Sequence, residues 1–267
     1  MIFETHAHYE DKKFDTDRAE LLHSMQGFGI GPVVNVGSTI ETTKQSIQLA
    51  DTYEFVYAAA GIHPSEIEEL DEIKMDWLCQ QARHPKVVAI GEIGLDYYWE
   101  KDEAVREKQR YWFQKQLVAA KNAGLPVIIH SRDAASDTMV IMKDAYADRI
   151  QGVIHCFSYS EEIAQEYVRM GYYIGVGGVV TFKNAKKLKE VVHKIPLESI
   201  LLETDCPYMA PEPYRGKRNS SVYLPLVVKE IARIKEITEQ EVIEVTSRNA
   251  YRMYYKVIQT RSSASFE

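Results

Sequence analysis

Six side chains able to hold a metal ion stand out in the sequence: His6, His8, Glu92, His130, His155 and Asp205. His6 and His8 lie two residues apart in Thr5-His6-Ala7-His8. On an extended segment residues i and i+2 point to the same side, so both imidazoles can grip one ion. Imidazole together with carboxylate suits Zn²⁺, Mn²⁺ or a similar borderline cation better than Ca²⁺. A lone H-x-H pair is a weak signal, and His130 or His155 taken singly reads as a core histidine bonded to a carbonyl, Asp205 as a helix cap. The pattern gains weight because all six residues end short apolar or β-branched runs, in Gly91-Glu92-Ile93-Gly94-Leu95-Asp96, His130-Ser131-Arg132-Asp133, His155-Cys156 and Glu203-Thr204-Asp205-Cys206-Pro207 as well as in the first run. Six ligands exceed the need of one tetrahedral ion. The set therefore predicts two divalent cations per chain, Zn, Mn or similar, sharing a carboxylate for which Glu92 is the candidate bridge.

Residues of a second kind point to an anionic substrate. His63, in Gly61-Ile62-His63-Pro64, also follows an apolar run and exceeds the ligand count, which leaves substrate contact, support of a ligand or loop structure open. Arg132 stands two residues beyond His130, and Arg215, Lys217 and Arg218 crowd the segment after Asp205 among prolines, tyrosines and a glycine. Such cations beside metal ions suit phosphate, although charged loops are commonly just solvated. Lys183, Lys186, Lys187 and Lys189 read as a solvated helix face. Tyr97, Tyr98 and Trp99, which follow Glu92, either stack on a base or close the core. His23, His84 and His193 fall on helices or helix-strand joints and carry no chemistry in this reading.

The elements that must position these groups alternate along nearly the whole chain. Short apolar runs at Met1 to Thr5, Pro32 to Val36, Phe55 to Gly61, Val87 to Ile93, Pro126 to Ile129, Gly152 to His155, Tyr172 to Val176 and Ile200 to Thr204 predict strands. Between and after them, helical periodicity runs over Thr16 to Phe28, Glu41 to Thr52, Ile73 to Arg83, Ala104 to Asn122, Ala134 to Ala145, Glu161 to Met170, Asn184 to Val192 and Tyr223 to Ile234. Gly29, Gly124 and Gly171 stand where C′ glycines belong. Eight βα units without a Ser/Pro-rich linker predict an α/β chain folded as a single (β/α)₈ TIM barrel over 1–256, with a polar tail at 257–267; a doubly wound sheet is the runner-up. In a barrel the C-terminal ends of the strands carry the chemistry, which is where the six ligands fall.

Composition bounds the rest. The chain has 267 residues, 45% hydrophobic and 27% charged, which excludes disorder, collagen and coiled coil. A formal charge of -7 argues against a general nucleic-acid coat or a polybasic membrane binder. Three scattered cysteines, Cys79, Cys156 and Cys206, form neither a disulfide framework nor a C-x-x-C knuckle. With no signal-like N-terminus and no long apolar run, the expectation is a cytoplasmic monomer away from membranes.

The runs Ile2-Phe3-Glu4-Thr5-His6-Ala7-His8, Gly61-Ile62-His63-Pro64, Gly91-Glu92-Ile93-Gly94-Leu95-Asp96-Tyr97, Pro126-Val127-Ile128-Ile129-His130-Ser131-Arg132, His155-Cys156-Phe157-Ser158 and Leu202-Glu203-Thr204-Asp205-Cys206-Pro207 together resemble the TatD-type metal-dependent deoxyribonucleases. The resemblance covers positions 1 to about 256 in order. It implies a barrel of the amidohydrolase superfamily and an exonuclease-type DNase activity that is usually magnesium-dependent, so that the two divalent cations per chain are Mg, Mn or Zn. It further implies that His6, His8, Glu92 and Asp205 hold one metal and that Glu92, His130 and His155 hold the other; Glu92 and Asp205 are the candidate catalytic residues. Two positions depart from the family pattern: Glu4 stands where Asp is usual, and Asn219-Ser220-Ser221 where an Asn-Glu-Pro run is common. The hypothesis is hydrolysis of a phosphodiester by a metal-activated water, with DNA as partner. The acidic balance favours single strands or strand ends over long duplex. The alternative is a metal-dependent hydrolase of a small amide, lactone or ester. No lysine ends the fourth run to serve as a carbamylated bridge in that chemistry.

Overall fold

Every residue of the fourth apolar run is buried from Val87 to Asp96, as expected of a parallel strand covered on both faces. The other runs form strands in the same way. In the computed structural model, which describes residues 1–258, the strands are β1 (Ile2–Ala7), β2 (Ile30–Val36), β3 (Val56–Ala60), β4 (Val87–Asp96), β5 (Val127–Arg132), β6 (Gly152–Ile154), β7 (Tyr173–Val176) and β8 (Ile200–Leu202). They belong to one sheet in the order β1 to β8. A sequential order without reversal excludes the doubly wound sheet, which needs a switch point. Helices α1 (Arg18–Ser24), α2 (Ile40–Thr52), α3 (Glu72–Gln81), α4 (Glu103–Ala123), α5 (Ala135–Ala147), α6 (Glu161–Arg169), α7 (Lys186–Lys194) and α8 (Leu224–Lys235) follow the strands in turn. This is the (β/α)₈ barrel topology. Among the described residues no helix is long and apolar enough to cross a membrane.

Local chemistry sets the boundaries. Thr39 caps α2 in a capping box with Thr42, Asp71 caps α3 by accepting Lys74 N–H, and Asp102 caps α4 by accepting Ala104 N–H. Gly124 ends α4 at φ 64°, a conformation that glycine adopts without steric cost. The first expected helix is shorter than its periodicity, because its last turn tightens into a 3₁₀ segment at Met25–Phe28. A ninth helix, α9 (Glu239–Met253), was not among those expected. Its buried stripe of Val242, Val245, Thr246, Asn249, Ala250 and Met253 has helical spacing but includes two polar residues that dilute the apolar signal. Asn249 accounts for itself by donating through Nδ2 to the carbonyls of Leu197 (2.9 Å) and Ile200 (3.0 Å). Val257 is fully buried, and the rest of the expected tail, from 259 on, lies outside the described residues.

The chain divides into two compact units. One comprises Met1–Asn35 with Cys156–Arg252 and so contains β1, most of β2, β7 and β8. Within it β1 bonds to the end of the last run: Asp205 N–H donates to His6 O (3.0 Å) and His8 N–H to Cys206 O (2.9 Å). The other comprises Val36–His155 and the segment from Met253, and contains β3 to β6. Here β4 pairs with β5 from Ile90 opposite Val127 to Asp96 opposite Arg132, which sets His130 level with Gly94. Gly94 is required there, since at φ 144° its missing Cβ would collide with the His130 carbonyl oxygen.

Candidate metal sites

In the first unit, β1 ends by presenting His6 and His8 on one side, and the segment after β8 brings Asp205 beside them. His6 Nε2 and His8 Nε2 are 3.0 Å apart, and Asp205 Oδ1 lies 3.3 Å from His8 Nε2 and 3.8 Å from His6 Nε2. With ligand bonds near 2.1 Å, neighbouring donors around a tetrahedral or octahedral cation stand roughly 3.0 to 3.4 Å apart, so this triangle is close to the size a cation needs. Asp205 reaches its place through a left-handed backbone at φ 55°, which aspartate tolerates better than most residues. Asn219 fixes that turn by donating from Nδ2 to Thr204 O (2.9 Å) and Tyr208 O (2.7 Å).

In the second unit, Glu92 Oε1 is a hub for three imidazoles. His130 Nδ1 lies 2.8 Å from it, His155 Nε2 3.7 Å and His63 Nε2 3.8 Å. Each comes from a different strand end: His63 after β3, Glu92 in β4, His130 in β5 and His155 after β6. Ser65 N–H donates to His63 Nδ1 at 3.1 Å. That bond assigns the ring proton to Nε2, so His63 turns an N–H toward Glu92 rather than a lone pair.

The electrostatics fit a cation in both places. Burial alone lowers the pKa of His130, yet hydrogen bonds to Asp96 and Glu92 outweigh it and push the pKa up to about 9. His8 behaves likewise: burial lowers its pKa, and Asp205 and Glu10 raise it well above the usual imidazole value. Carboxylates that draw protons onto buried imidazoles mark places short of positive charge, which a divalent cation supplies while taking the same nitrogen. The donor sets of both units, nitrogen and carboxylate oxygen, match that role.

Two carboxylates that the sequence reading did not assign support the ligands, and a third lies near them. Glu10 Oε1 lies 3.4 Å from His8 Nδ1, Asp96 Oδ2 lies 3.3 Å from His130 Nε2, and Glu203 offers an oxygen within 4.8 Å of a His6 nitrogen. Carboxylates behind ligating imidazoles fix the ring and raise its basicity. Their signal was available as a two-residue sequence spacing: His6, His8 and Glu10; Glu92, Gly94 and Asp96; Glu203 and Asp205, of which only Glu92 to Asp96 is strand throughout. Glu203 also accepts Cys156 N–H at 2.6 Å, and Gly175 leaves the space its carboxylate fills.

The residues proposed for an anion divide. Arg132 is exposed, its guanidinium carbon 4.0 Å from the Tyr98 ring centroid. Arg215 and Lys217 are exposed, with Arg215 over the Phe182 ring at 4.3 Å. Arg218 instead forms a two-pronged pair with Asp17, Nη1 to Oδ1 at 2.8 Å and Nη2 to Oδ2, and also donates to Lys13 O. Its charge orders the loop. Tyr97 is buried and donates to Asp137 (2.7 Å), whereas Tyr98 and Trp99 are exposed.

Comparison with known proteins places the chain among relatives of one family. The family model described as TatD related DNase matches residues 3–255. The metal-dependent hydrolase YabD of Bacillus subtilis (strain 168) is 42% identical over 254 residues, which cover 95% of this chain and 99% of that protein. The crystal structure of YjjV, a TatD homologue from Escherichia coli K12, superposes with a TM-score of 0.89 at 32% identity, covering 95% of this chain and 98% of that one. A TatD family hydrolase from Entamoeba histolytica, at 23% identity, shares the fold with a TM-score of 0.83 over 96% of this chain and 98% of its own.

Proposed function

Because this chain belongs to the TatD-related DNase family and is a metal-dependent hydrolase, we propose that it hydrolyses phosphodiester bonds of DNA, working inward from single-stranded or frayed strand ends. The observation that carries this reading is the pair of donor clusters, His6-His8-Asp205 and Glu92 with His63, His130 and His155 about its Oε1, each with an imidazole caught between two carboxylates. Each set takes one divalent cation, Mg, Mn or Zn, for two per chain. When bound, such cations neutralise phosphate oxygens and lower the pKa of an attacking water. Asp205 and Glu92 are the carboxylates that would orient that water and take its proton. His63 donates Nε2–H to a non-bridging phosphate oxygen. Arg132, Arg215 and Lys217 screen the charge of the flanking phosphates.

The test is degradation of 5′- and 3′-labelled single-stranded DNA by chelator-stripped protein with Mg²⁺, Mn²⁺ or Zn²⁺ restored, alongside Glu92→Ala. The expected result is laddering from one end that needs the cation and is absent in the variant. Failure to cleave with any cation, together with turnover of a lactone or amide, overturns the proposal in favour of small-molecule hydrolysis.

A further inference from the structure

The turn that follows β4 is held unusually firmly for one that exposes large aromatics. Asp96 Oδ1 accepts the N–H groups of both Tyr98 (2.9 Å) and Trp99 (3.2 Å). Lys101 Nζ donates to Tyr97 O (2.6 Å), and Arg106 donates to Glu100 O from Nε (3.1 Å) and Nη2 (2.9 Å). A backbone so fixed nevertheless leaves Trp99 71% and Tyr98 43% exposed. Large aromatics on a rigid turn gain by being covered, and these two stand edge to face at 4.7 Å with Arg132 over both rings, 4.0 Å from Tyr98 and 5.5 Å from Trp99. The other oxygen of Asp96 faces His130, so the turn is anchored on the residue that backs a ligand.

We propose that Trp99, flanked by Tyr98 and Arg132, is a stacking subsite for an unpaired nucleobase of the strand end, with Arg132 meeting the adjoining phosphate. The inference rests on the phosphodiester reading and adds to it how the substrate is recognised. An aromatic face accepts any base, while a paired base within a duplex offers no free face. The site therefore selects unstacked nucleotides and is indifferent to sequence. Tyr97, buried and bonded to Asp137, takes no part.

The experiment uses labelled pentathymidylate and the same oligonucleotide with a base-free residue at either end, with wild type, Trp99→Ala and Trp99→Phe. Anisotropy on chelator-stripped protein measures binding, and kcat/KM after restoring Mn²⁺ measures turnover. Stacking of one base predicts about tenfold weaker binding of the intact oligonucleotide by Trp99→Ala, mostly regained in Trp99→Phe. It also predicts that the wild-type preference for intact over base-free ends collapses in Trp99→Ala. Equal binding by wild type and Trp99→Ala, or cleavage by wild type that ignores the missing base, overturns the subsite while leaving the nuclease reading intact. Cleavage of neither oligonucleotide overturns the nuclease reading, and the anisotropy still decides the subsite.

Discussion

In the cluster around Asp205, His8 turns Nε2 to Asp205 and Nδ1 to Glu10; in the cluster around Glu92, His130 turns Nδ1 to Glu92 and Nε2 to Asp96. Both units thus hold an imidazole between a ligand carboxylate and a supporting one. What stands behind the support differs. Glu10 Oε2 accepts from Asn35 Nδ2 (2.6 Å), and Asn35 Oδ1 accepts Tyr9 N–H (2.6 Å), so that chain runs inward to a fully buried amide. Asp96 Oδ1 instead carries the N–H groups of Tyr98 and Trp99, so its chain ends on exposed aromatics. One support leads inward from the cluster, and the other leads outward to exposed aromatics.

The largest expected effect comes from Glu92→Ala. Three imidazoles lose their common oxygen, so cation affinity at that set should fall by well over the roughly 100-fold that supporting residues command, and turnover should fall with it. Metal analysis after dialysis checks this, and full occupancy with normal activity would break the comparison at its root. Next come Glu10→Gln and Asp96→Asn, each expected to cost about 10- to 100-fold in cation affinity or activity. Only Asp96→Asn should also shift the emission of Trp99 and the preference for an intact terminal base. If Glu10→Gln shifts them equally, the two supports are not distinct.

The pH dependence of the metal-stripped protein is a third, smaller effect. Burial lowers the His130 pKa, but Asp96 and Glu92 together raise it to about 9 in the folded chain. Against an unfolded value of roughly 6.5, the folded state keeps a proton that the unfolded state releases, so this stabilisation is full below about 6.5 and is lost as pH rises through 9. The melting temperature of stripped protein should therefore fall across that window, and fall less in Asp96→Asn. Saturating cation should flatten the slope, because the ion then replaces the proton between His130 and Glu92. A slope unchanged by Asp96→Asn would place its origin elsewhere.

The strands and most helices were legible in the sequence because burial on both faces leaves near-continuous apolar runs and because caps and C′ glycines mark helix ends. Helix α9 escaped because Thr246 and Asn249 fill part of its buried stripe. The donor residues of the two clusters were recognisable by type and by their strand-end positions. Their supports were not, although Glu10 and Asp96 obey the same two-residue step, since a carboxylate near a histidine is common and only proximity gives it meaning. Arg218 shows the opposite limit. In a segment of three cations nothing local says that one is matched to Asp17, 201 residues earlier.

The smallest effect concerns the two departures from the family pattern, which touch each other in the first unit. Glu4 is fully buried and accepts from Thr204 Oγ1 (2.7 Å), Thr204 N–H (3.0 Å), His6 N–H (3.1 Å) and Ser221 Oγ (2.7 Å). Ser221 in turn accepts from Tyr9 OH (2.8 Å) and donates its N–H back to it (2.9 Å). Burial pushes the Glu4 carboxyl up to about 7, and these donors hold it from rising further. Ser221 therefore supplies a hydrogen bond that a proline there would lack, and Glu4 supplies the extra methylene, relative to aspartate, that lets its carboxylate reach it. Removing the hydroxyl by Ser221→Ala should cost on the order of 1 to 2 kcal/mol. At roughly 2 to 4 °C per kcal/mol for a chain of this size, that is a drop of several degrees in melting temperature. Glu4→Asp, too short for the bond, should remove the same interaction, so the double variant should melt only slightly below the worse single one. Additive losses would show that the two departures are neighbours without being partners.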